Sequence, residues 1–123
     1  MLGSMPLPPD PFVEHIGELL SSYPEFRSKR MFGGHGIYVD DYFVALVAEG
    51  VLYLKVDDDN REAFEMAGMG PFIFRNKDGK ETAMSYFQCP DEAFDRSETM
   101  RPWIDLALGA SRRQEQRKNS KKK

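Results

Sequence analysis

Cysteine is nearly absent. Cys89 is the only one in 123 residues. A single cysteine excludes an intrachain disulfide and any cysteine-rich zinc site, and it suits a reducing cytoplasm. Histidine is scarce too, with only His15 and His35. A metal site would therefore have to recruit carboxylates such as Asp40 or Asp41. No apolar run approaches the roughly 20 residues that a membrane span needs. The first ten residues lack the basic start and continuous apolar segment of a signal peptide. The sequence thus predicts a cytoplasmic protein with no membrane partner.

What is present suits one folded domain. The chain is 41% hydrophobic and 12% aromatic, enough for a packed core at this length. Net charge is −3, but it is split. Residues 112–123 hold Arg112, Arg113, Arg117, Lys118, Lys121, Lys122 and Lys123 against the single acid Glu115, a net +6. The body before it is −9. Only that tail suits a phosphate backbone. The domain reading is an extended leader over 1–9, a folded body over 10–111 and a basic, disordered tail over 112–123. Residues 1–4 look like a cloning remnant before Met5.

The element order reads α, three β, α, two β, α. Asp10 caps a first helix with Pro11 at its first position, and Phe12, Val13, Ile16, Leu19 and Leu20 form its apolar face. Residues 30–39, 42–48 and 51–56 read as three strands joined by the tight turns Asp40-Asp41 and Glu49-Gly50. Asp57, Asp58 and Asp59 offer caps for a second helix, which Gly68 ends. Phe72–Arg75 and Thr82–Gln88 form a second β pair around Gly79. Ser97 caps a last helix, with Pro102 near its first turn marking a bend or a later start. Hairpin-joined strands imply antiparallel pairing. The expected fold is an α+β two-layer sandwich, its helices on one face of the sheet.

The candidate sites are few. Gly33, Gly34 and Gly36 open a strand, not a helix, so neither a Walker loop nor a dinucleotide fingerprint fits. Glycines there suggest a bulge, a sharp bend or close approach of another backbone. A small-molecule pocket near Gly33–Gly36 is the alternative. Asp57-Asp58-Asp59 is consecutive, unlike a calcium loop. Cys89 has no neighbour that would lower its pKa, and Ser85 and Thr82 lack a base. No catalytic residue, metal site or cofactor is predicted. The tail is either a solubilising end or a weak, sequence-independent grip on nucleic acid.

One order of motifs is specific. Arg30-Met31-Phe32-Gly33-Gly34-x-Gly36, two β runs, Leu52–Asp57, a helix to Gly68, Pro71-Phe72, Met84-Ser85-Tyr86 and Pro102-Trp103 together resemble the TfoX N-terminal domain family. The resemblance covers about residues 12–113. It implies a small α+β domain and a non-enzymatic, regulatory role in bacterial competence, acting with transcription-related protein partners. A second copy is a further candidate partner. Best-known members add a helical C-terminal domain; here a basic tail stands in its place. His35 departs from the aromatic that the family pattern leads one to expect. The resemblance supplies no catalytic residue, and Arg30, Met31, Phe32 and the three glycines match as a structural motif.

Overall fold

The structure, a computed structural model, describes residues 10–31 and 33–121. The leader over 1–9, Phe32, Lys122 and Lys123 lie outside the described residues.

Helix α1 spans Pro11–Leu19, and Asp10 caps it as expected, its Oδ1 accepting from Phe12 N at 2.9 Å and Val13 N at 3.4 Å. Four strands follow: β1 (Phe26–Met31), β2 (Gly34–Val39), β3 (Tyr42–Ala48) and β4 (Val51–Lys55). Helix α2 (Arg61–Met66), β5 (Pro71–Arg75), β6 (Glu81–Gln88), a 3-10 turn (Asp91–Asp95) and helix α3 (Ser97–Lys121) complete the order. The expected α+β architecture holds. All strands pair antiparallel in one six-stranded sheet, ordered β1-β2-β3-β4-β6-β5.

Two expectations are corrected. The run over 30–39 is not one strand. It breaks after Met31, and Met31 pairs back on Gly34 across a turn in which Gly33 has φ +78°. The sheet thus gains an edge strand, β1, whose sequence Phe-Arg-Ser-Lys-Arg-Met is too polar to announce itself. Charged side chains on an edge discourage pairing with other chains, which accounts for that composition. The tail is the second correction. Residues 112–121 are not disordered; they continue α3 from Ser97 without a break, and Pro102 lies inside the helix.

The turns follow the expected chemistry. Asp40 and Asp41 (φ 51° and 69°) and Glu49 and Gly50 (φ 53° and 76°) all have positive φ, as two-residue hairpins of matching twist require. Register shifts between Ile37 and Tyr38: Ile37 faces Ala45 and Tyr38 faces Phe43. Val44 is therefore the extra residue, so the bulge lies on β3 and not among the glycines. The bulge turns Phe43 to the same side as Tyr38.

The core lies on one side of the sheet. Ile37, Val39, Ala45, Val47, Leu52, Leu54 and Phe87 contribute to it from the strands, and Val56 from just past β4. Ile16 and Leu20, Phe64, and Met100, Ile104 and Ala107 close it from the helical side. Phe64 is fully buried and sits edge-on to Trp103 at 5.1 Å and Phe87 at 6.1 Å. On the opposite side of the sheet the helical contact is the far part of α3, where Gln114 meets Lys55.

Candidate functional site

The glycine motif builds a hairpin. A Cβ on Gly34 would overlap the Val47 carbonyl oxygen, so β2 and β3 approach there as only glycine permits. A Cβ on Gly36 would lie 2.6 Å from Met31 Cε and 2.7 Å from Phe43 Cε1. Arg30 is exposed and pairs with His35 in the β1–β2 register. Bend and close approach are thus both realised.

The remaining small candidates are separated. His15 stacks on Phe94 at 6.4 Å, far in the chain from His35 on β2. Among the described residues no three His, Cys, Asp or Glu side chains gather to hold a metal ion. Cys89 is buried against Met100, and burial, with Asp91 and Glu92 nearby, pushes its thiol up to about 12. It is an inert core thiol.

The basic segment has specific partners. Arg113 grips Asp57 with two hydrogen bonds, Nε to Oδ2 at 2.6 Å and Nη2 to Oδ1 at 2.9 Å, and reaches Asp59 Oδ2 at 3.1 Å. The Arg113 guanidinium holds the Asp57 carboxyl below its usual range. Arg112 lies over the Tyr42 ring at 5.6 Å. Lys118 borders a cleft, and Arg117 is exposed. Lys121 is the last residue of α3, and Lys122 and Lys123 lie outside the described residues. Seven free cations at a flexible end are therefore not what the fold presents: Arg112 and Arg113 are already spent on the body.

Asp57 also organises the start of α2. Its Oδ1 accepts from Asp59 N and Asn60 N, both at 3.1 Å. Asn60, which the sequence did not single out, is buried at the centre of this junction. Its side chain accepts from Asp57 N at 2.8 Å and donates to the carbonyls of Lys55 at 3.2 Å and Leu106 at 2.9 Å. One amide thus joins β4, α2 and α3. The only signal in the sequence was an asparagine closing a run of helix-capping acids.

A cleft of about 600 Å³ opens at the end of β2 away from the glycines, where α3 passes the sheet. Tyr38, Phe43, Lys55 and Tyr86 line its sheet side, and Ser111, Gln114 and Lys118 its helical side. Tyr38 and Phe43 have ring centroids 5.2 Å apart, and Phe43 and Tyr86 5.9 Å. Lys55 Nζ sits 5.8 Å from the Phe43 centroid and 5.9 Å from that of Tyr86, and donates to Gln114 Oε1. Burial, then Lys118, lowers the Lys55 pKa, with Glu115 opposing. Burial, then Tyr38, pushes Tyr86 up to about 12. The cleft brings aromatic rings together with charges of both signs, Lys55 and Lys118 beside Asp40, Asp41 and Glu115.

The β5–β6 hairpin is the least covered part of the body. Ile73 is 47% exposed, Phe74 49% and Met84 37%. Ile73 pairs with Ala83 on the side of the sheet that carries the helices, and Phe74 with Thr82 on the other. β5 is an outer strand with one edge unpaired.

The TfoX N-terminal domain model matches residues 18–111, from within α1 to the buried Ser111 of α3. No curated protein matches the chain.

Proposed function

We propose a regulatory role from one premise: the chain belongs to the TfoX N-terminal domain family, whose members are regulatory, competence-related domains. The finer reading is a non-enzymatic cytoplasmic adaptor in bacterial transcription regulation that works through protein contacts. The observation that carries it is the β5–β6 hairpin, where Ile73 is 47% exposed beside an unpaired edge. An edge strand with an apolar side chain at its centre suits addition of a partner strand. Main-chain hydrogen bonds then supply affinity and the side chain supplies specificity. The buried, inert Cys89 supports a binding role over a chemical one. No helix among the described residues is long and apolar enough to cross a membrane.

Photo-crosslinking in the source cells tests this reading. A photoreactive residue replacing Ile73 is expected to capture a transcription-related protein, and the same residue replacing Glu14 on the exposed side of α1 is not. Capture of nothing from position 73, or of the same products from both positions, counts against a contact at this edge.

A further inference from the structure

The side of the sheet away from the core differs in charge from the body around it. The pairing register places Arg27 opposite Tyr38 and Lys29 opposite Gly36, on the side where Tyr38 meets Phe43. Lys55 and Tyr86 pair on that same side. Tyr53, Phe72 and Phe74 extend it across β4 and β5, with Tyr53 and Phe72 4.8 Å apart. Among the described residues, the strand positions on this side include three cations, six aromatic rings and no acid. Yet the body as a whole is −9. The cations are interleaved with the rings: Arg27 lies 4.5 Å over Tyr38, and Lys55 within 6 Å of both Phe43 and Tyr86. The row crosses β1, β2, β3, β4 and β6, about 20 Å at the usual strand spacing.

We propose that this face binds single-stranded nucleic acid, with bases stacked on Tyr38, Phe43 and Tyr86 and phosphates held by Arg27, Lys29 and Lys55. Every base has a π face, so an aromatic platform on an open antiparallel sheet takes a strand with little regard to sequence. A duplex is excluded from the platform because its bases already stack on one another, and the acidic body repels its denser charge. Asp40, Asp41 and Glu115 stand where the face meets α3 and bound it on that side. Arg27 is held there by Asp41 at 3.2 Å, an exposed pair that a phosphate displaces at small cost. This face is distinct from Ile73, so its failure and that of the adaptor reading are separable.

The test is fluorescence anisotropy with the full chain and a short labelled mixed-sequence DNA strand, the same sequence as RNA, and the DNA duplex, each at low and moderate salt. The expected result is salt-sensitive binding of a single strand in preference to the duplex; binding of DNA alone or RNA alone identifies the ligand. Arg27→Glu with Lys29→Glu, both at exposed positions, weakens binding about tenfold. Tyr86→Ala weakens it about fivefold or more, and circular dichroism checks that each variant is folded. Arg117→Glu on α3 leaves binding unchanged. No single-strand binding at low salt overturns the proposal. So does equal affinity for duplex, or a loss confined to Arg117→Glu. Loss of a protein contact in the Arg27/Lys29 variant without any nucleic-acid binding assigns the face to a protein and also overturns it.

Discussion

Arg113 and Asp57 stand 56 residues apart in the chain and meet side by side, two hydrogen bonds at 2.6 and 2.9 Å joining the far part of α3 to the start of α2. Beside them Lys55 donates to Gln114, and Arg112 covers Tyr42. These contacts convert a run of basic residues into a structural clasp.

The clasp predicts a loss of stability when it is cut. Arg113→Ala leaves Asp57 without its guanidinium and is expected to cost about 1–3 kcal/mol in urea unfolding, since hydrogen bonds to charged groups are the stronger class. The pH dependence has a definite sign. The Asp57 pKa is lowered in the folded state, so the stabilisation is present above the ordinary carboxylate range and is lost as pH falls through the folded value. Stability of the Arg113→Ala variant should therefore converge on that of the parent in acid.

Gly34 supplies a second prediction. An alanine there collides with the Val47 carbonyl, whereas a Cβ on Gly70 meets nothing within 4 Å and Gly70 has no positive φ. Gly34→Ala is expected to destabilise by about 3 kcal/mol, as overpacking against fixed backbone does. Gly70→Ala should be close to neutral. Thermal unfolding of the two variants side by side gives the answer.

Ultraviolet titration of the five tyrosines provides a third. Tyr86 is pushed up to about 12 by burial, and Tyr23 is also raised, by burial and by its hydrogen bond of 2.6 Å to Asp105. A late-ionising fraction is expected, and Tyr86→Phe should remove part of it. The unfolded chain ionises near 10 while folded Tyr86 stays neutral, so stability from this group falls as pH rises between those values.

Cys89 gives a fourth. With its thiol buried and raised to about 12, the folded protein should react with a thiol reagent only at the rate at which it opens, and denaturant should expose the thiol. Fast labelling of the native protein would contradict its place in the core.

Much of this fold is written in short-range chemistry. Asp10-Pro11, Asp40-Asp41, Glu49-Gly50 and Gly79 each name a cap or turn whose backbone needs are local, and all are met. β1 was hidden because an outer strand carries charge on both sides and shows no alternation. The bulge at Val44 was hidden for a different reason. A register shift belongs to two strands at once, and neither sequence alone records it. The basic segment misled most: Arg112 and Arg113 read as solvated charge until Tyr42 and Asp57 are brought beside them by the packing of α3. Likewise Asn60 becomes a junction only when the Leu106 carbonyl arrives from 46 residues away. The cleft and the acid-free side of the sheet depend on the same long-range pairing.

The most direct measurement of the regulatory account compares transcripts in source cells carrying the parent chain, the Ile73→Asp variant at equal abundance, or no copy of the gene. Ile73 is already 47% exposed, so an aspartate there changes an edge contact and spares the core. The account predicts that the variant reproduces the transcript changes of the deletion while the purified variant keeps the parent's unfolding temperature. Transcripts unchanged by deletion would contradict a regulatory role, and a variant indistinguishable from the parent would contradict the β5 edge as the contact through which it acts.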